Sequence, residues 1–115
     1  MNDVHYINLL ATHLSMNRQT WVTLQRHGVT EATQVRLDFS YCARDRKAAN
    51  LLRTLIRDET DYDVRVATSP RGDVLVEGST QKTAISPTVL DQWVTWMVDA
   101  GKRCGCDFDG WGTPV

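Results

Sequence analysis

Apolar residues change their spacing several times along the chain, and each change marks an element. Tyr6, Leu9, Leu10, His13 and Leu14 recur at helical intervals, so residues 3–15 are expected to form an amphipathic helix. A second, short helix is expected in NRQTWVTLQRHG, with Asn17 as N-cap, Trp21 and Leu24 on one side, and Gly28 past its end. The period then drops to two. Val35, Leu37, Phe39 and Tyr41 alternate with Arg36, Asp38, Ser40 and Cys42, the pattern of a half-buried strand. Helical spacing returns in RDRKAANLLRTLIRD, where Ala48, Leu51, Leu52, Leu55 and Ile56 face inward and Arg46, Asn50, Arg53 and Arg57 form a polar stripe. Tyr62, Val64 and Val66 mark a second strand, SPRGD a turn, and VLVEGST a third strand. The clearest helix is ISPTVLDQWVTWMVDAGKRCG: Ser86 caps it, Pro87 fits its first turn, and Gly105 ends it. Leu90, Trp93, Val94, Met97, Ala100 and Cys104 share its apolar face, and CDFDGW alternates once more.

The order is a helical segment followed by β-α-β-β-α-β. Two right-handed crossover units place both later helices on one face of a four-stranded antiparallel sheet, which predicts a ferredoxin-like α+β sandwich with strand order 4-1-3-2. Its inner face would carry Val35, Leu37, Phe39, Tyr41, Val64, Val66, Val74, Val76, Cys106 and Phe108. The open face would carry Arg36, Asp38, Asp63, Arg65, Glu77, Asp107 and Asp109. Residues 1–28 are expected as an N-terminal helical segment, packing at home in preference to serving as a partner-binding arm, and residues 29–115 as the ferredoxin-like domain.

Composition adds bounds. The 115 residues are 42% hydrophobic and 23% charged, the profile of one domain with its own core. Lys plus Arg number 13 against 14 for Asp plus Glu, so no overall field steers the chain onto nucleic acid or an anionic membrane. No apolar run approaches the ~20 residues of a membrane span, and the N-terminus has no signal-peptide pattern. An odd number of cysteines without secretion features fits a reducing cytoplasm.

Candidate chemistry is sparse. Cys104 and Cys106 stand one residue apart across a helix-to-strand junction, a spacing that does not suit zinc, so no metal or other cofactor is expected and the thiols are read as buried and structural. Asp38, Glu77, Asp107 and Asp109 could gather on the open face for acid–base work. Arg36 and Arg65 share that face, so ion pairs are the default, and no histidine is expected near the acids. A catalytic reading predicts a concave pocket around them. RNA binding by the sheet is disfavoured because Arg36, Asp38, Ser40, Leu75, Glu77 and Ser79, the outward positions of the central strands, offer no aromatic ring for stacking. Phosphate-loop, nucleophile-elbow and dinucleotide motifs are absent.

The ending CDFDGWGT, behind a helix opening ISPTVLDQW, resembles the close of the regulator of ribonuclease activity B (RraB) family, the ribonuclease E inhibitors. TWVTLQRHGVTEATQVRLDFSYCARDRKAANLLRTLI is similar to the upstream part of that domain, and the likeness spans roughly residues 18–113. The resemblance implies a ferredoxin-like, non-enzymatic regulator in the cytoplasm that restrains RNA cleavage by binding ribonuclease E. Its motif falls on Asp109, Gly110, Trp111, Gly112 and Thr113, expected to close the fold more than to touch a partner. The founding type carries a strongly acidic tail after the motif, whereas this sequence stops at Val115 with a net charge of -1, so attraction to a basic partner would have to come from local patches. An antitoxin-like or immunity-like binding module is the alternative. The partner is expected to be a protein, ribonuclease E or another, with a homodimer also in view and neither nucleic acid nor membrane. Two surfaces are candidates: the stripe Arg46, Arg53 and Arg57, and the open face around Arg36, Asp38 and Glu77.

Overall fold

The computed structural model describes residues 3–114. Met1, Asn2 and Val115, the ends of the two expected segments, lie outside the described residues. Helix α1 (Asp3–Arg26) leads into β1 (Gln34–Val35), β2 (Asp38–Ala43), α2 (Arg46–Glu59), β3 (Asp63–Thr68), β4 (Val74–Ser79), β5 (Thr83–Ala84), α3 (Pro87–Cys104) and β6 (Cys106–Gly112). The fold is α+β: these helices accompany two antiparallel sheets, one of order β3-β4-β2-β6 and a short ladder β1-β5. The larger sheet has the order expected from the sequence, with β2 and β4 in the centre.

One face of that sheet is covered. Phe39 and Tyr41 of β2, Val76 of β4, and Cys106 and Phe108 of β6 are buried against Ala48, Ala49, Leu52 and Ile56 of α2 and Val94, Met97 and Val98 of α3. Both helices start on side-chain caps. Asp45 accepts from the Ala48 N–H at 2.8 Å and Ser86 from the Val89 N–H at 3.1 Å, which satisfies amides that have no partner within the helix. Pro87 opens α3 and Gly105 closes it, as expected. Contact between α3 and the sheet is close: a Cβ on Gly101 would lie 2.6 Å from the Cys106 carbonyl oxygen and 2.9 Å from the Tyr41 ring, and the Tyr41 hydroxyl donates to the Met97 carbonyl at 2.7 Å.

Several expectations are corrected. The two helices read over residues 3–28 are one continuous α1, and Asn17 is buried in its middle instead of capping a second helix. Asn17 favours a cap only when its side chain must find backbone partners, and here it finds Asp91 of α3 and Trp111 of β6. The strand read over residues 35–42 is split. Thr80, itself buried, accepts the Leu37 N–H on its hydroxyl at 3.1 Å and donates its own N–H to the Leu37 carbonyl at 2.9 Å. Arg36 and Leu37 thus fall between β1 and β2, and Arg36 leaves the open face of the main sheet.

Leu37 instead joins Trp21, Leu24, Val29, Val35, Ile85 and Leu90 in a second core cluster. On α2, Leu51 is 53% exposed and Ala49 takes the inward place, because Leu51 lies more than a quarter turn from the middle of the buried arc. Of the two thiols read as buried, Cys106 is buried and Cys104 half-buried; Cys42, on the outward side of β2, is exposed. Among the described residues no helix is long and apolar enough to cross a membrane.

Candidate partner-binding cleft

The motif Asp109–Thr113 is where the sheet departs from regular pairing. Phe39 lies opposite Trp111, Ser40 opposite Gly110, and Tyr41 opposite Phe108, so Asp109 is the extra residue of a β-bulge. Strict alternation from the buried Phe108 would send Trp111 to the open face. The bulge reverses its side, and Trp111 shares the helix-covered face with Phe39. Gly110 meets the backbone this requires, with φ of 135°, a region that residues with a Cβ rarely adopt. The Trp111 ring then stands edge-on to Trp93, with centroids 6.2 Å apart, and its Nε1–H donates to Asn17 Oδ1 at 2.8 Å. Gly112 pairs with Asp38, and beyond the strand the buried Thr113 hydroxyl has no hydrogen-bond partner among the described residues.

Helix α1 lies across the outer edge of β6. There the buried His13 ring donates from Nε2 to the Phe108 carbonyl at 2.9 Å and stands edge-on to the Phe108 ring. As a carbonyl can only accept, this bond sets the proton on Nε2. The helix rises beside the open face of the sheet and leaves a cleft of about 430 Å³. His13, Met16 and Thr20 form one wall, and Asp38, Ser40, Glu77, Asp109, Gly110 and Trp111 complete it with Phe39.

The structure therefore brings together Asp38, Glu77 and Asp109 and separates the rest. Asp107 is held by His5 of α1 at 2.9 Å. Arg36 sits 3.9 Å from Asp63 and 3.5 Å from the Gln81 side-chain oxygen, outside the cleft. Arg65 reaches Glu77 at 3.7 Å, whereas Asp38 accepts from the Ser79 hydroxyl at 2.6 Å and Asp109 from the Ser40 hydroxyl at 3.5 Å. Arginines thus neutralise this face only in part, and it is concave where the acids meet. The expectation that no histidine approaches them is wrong, because His13 lines the same cleft. The signal was present in the sequence: His13 falls on the Tyr6, Leu9, Leu10, Leu14 stripe that packs inward.

Electrostatics agree with the geometry. Burial first, then the negative charges of Asp109, Asp73 and Asp107, push the Cys42 thiol above its ordinary value. Among the described residues no three His, Cys, Asp or Glu side chains converge closely enough to hold a metal ion. The second candidate surface lies elsewhere. Arg46 donates to the Thr68 hydroxyl at 3.1 Å, and Arg57 lines a shallow depression with Tyr62–Arg65, so the stripe of α2 borders β3. No family model matches the sequence, and no curated protein matches it.

Proposed function

We propose that this chain is a non-enzymatic, protein-binding regulator of the RraB type, built on a ferredoxin-like sandwich, which modulates RNA degradation by contact with a protein such as ribonuclease E. The strand order and the packing of α2 and α3 on one face support the sandwich. The observation that carries the binding role is the cleft at the motif, where Asp38, Glu77 and Asp109 gather beside Gly110 and Trp111 under the α1 wall of His13, Met16 and Thr20. Carboxylates gathered in a cleft suit a lysine or arginine side chain presented by a partner, through charge-assisted hydrogen bonds. This local charge would supply the attraction that a net charge of -1 does not.

The test is a pull-down and an RNA-cleavage assay with the host's own ribonuclease E. Binding and slowed cleavage are expected, both weakened by Asp38→Asn with Asp109→Asn. Unchanged cleavage at saturating protein rejects the regulatory role.

The presence of His13 in the cleft favours a second reading, general acid–base catalysis with Asp38, Glu77 or Asp109. It predicts turnover of a small substrate that His13→Gln abolishes while the fold persists. Ribonuclease binding that survives His13→Gln and fails with the double carboxamide variant decides for the first reading.

A further inference from the structure

The two edges of the main sheet are treated differently. At β6, α1 covers the edge and His13 occupies the Phe108 carbonyl. At β3, among the described residues, the main chain of Asp63–Thr68 makes hydrogen bonds only with β4. This strand has six residues in unbroken register, with no proline and no bulge, so its outer row of N–H and C=O groups is a template for one more strand.

Charge selects what can lie there. Arg46 sits over Thr68 at one end of β3 and Arg57 beside Asp63 and Arg65 at the other, with Arg53 on the same stripe of α2 between them. None of the three is ion-paired to a carboxylate among the described residues. Asp63, the acid of the strand itself, is taken by Arg36, and Arg65 faces Glu77. Spacing fits as well. Arg46 to Arg57 spans about 16 Å along the helix at 1.5 Å per residue, close to the ~17 Å of a six-residue strand.

We infer that the free edge of β3 binds an extended acidic segment of a protein partner by strand addition, with carboxylates at alternate positions reaching Arg46, Arg53 and Arg57. A strand added to β3 directs every second side chain toward the α2 side, which is where the arginines wait. A second copy of this chain fits poorly, because pairing β3 with itself brings two arginine stripes together. The inference shares with the proposed function only the premise that the partner is a protein, and its assay contains no ribonuclease, so the two can fail separately.

The probe is a fluorescein-labelled seven-residue peptide with Glu at alternate positions between Val and Thr, followed by anisotropy and by amide shifts of the isotope-labelled protein. Expected are saturable binding, shifts centred on residues 63–68, and an affinity about tenfold lower for Arg53→Glu with Arg57→Glu. Circular dichroism checks that this variant keeps its fold. N-methylation of alternate peptide amides on the bonding edge should remove binding, and methylation on the other edge should not. Absence of binding, shifts away from β3, or indifference to the charge reversal overturns the inference. So does an oligothymidylate of equal charge that binds the stripe as strongly, which would make it a phosphate site.

Discussion

Asn17 and Trp111 stand 94 positions apart and share one hydrogen bond, which ties the centre of α1 to the end of β6. Asn17 uses both ends of its amide, donating to Asp91 and accepting from Trp111, so neither buried polar group is stranded. Asn17→Leu should therefore lower stability by about 1–3 kcal/mol, because the indole N–H loses its acceptor while burial persists. Urea unfolding measures this, and an unchanged midpoint contradicts the link. Trp111→Ala should lose about 3 kcal/mol, at the low end for a large ring since Trp111 is only half-buried, whereas Trp111→Phe should lose less. Cys42 reports on the cleft. Its raised pKa makes its alkylation at pH 8 slower than that of a free thiol, and Asp109→Asn should speed it by removing the first of the charges that act on it.

At the scale of elements, what could be read from the sequence was what repeats with a period. Helices α2 and α3 and strands β2, β3, β4 and β6 all appear where spacing puts them, and the cap at Ser86 follows from residue type alone. What could not be read depends on tertiary partners. The break at Leu37 needs Thr80 on another strand, the continuity of α1 through Asn17 needs Asp91 and Trp111, and the bulge at Asp109 leaves no mark in an alternating CDFDGW. The cleft was half legible for the same reason: its acids were placed on the open face, but its α1 wall was not foreseen. Deleting Asp109 should restore regular pairing and leave Trp111 opposite Phe39 on the helix-covered face, now two places from Phe108. The near-UV circular dichroism of the Trp93–Trp111 pair should then persist, as it should in Asp109→Gly, and its collapse in the deletion variant would contradict the bulge. Gly101→Ala should cost a net 1–2 kcal/mol or about that, since crowding against Cys106 and Tyr41 outweighs the gain in helix propensity.

Across the whole molecule, the two core clusters are joined by Trp93 and Trp111, which pack against both. The N-terminal half of α1 and the main sheet belong to one cluster; the second half of α1, the β1-β5 ladder and the start of α3 belong to the other. Neither can be opened without stripping partners from the shared rings, so unfolding should be a single cooperative transition. Cys106 gives that transition a pH dependence. Burial, supported by Cys104 and Asp107, pushes its thiol from 9.0 to about 12. An unfolded chain would release that proton near its ordinary value while the native chain still holds it. The unfolded state thus binds fewer protons in this window, and stability must fall as pH rises from about 9 toward 12, having been fully present below. Tyr41, Cys42, Cys104, Tyr6 and Tyr62 shift in the same direction, so Cys106→Ala should flatten the alkaline decline without abolishing it. Urea midpoints at pH 7, 9 and 10.5 provide the check, followed in parallel by tryptophan fluorescence and by trapping of the Cys106 thiol. If the thiol becomes reactive before the fluorescence changes, β6 opens on its own and the shared tryptophans do not couple the two halves.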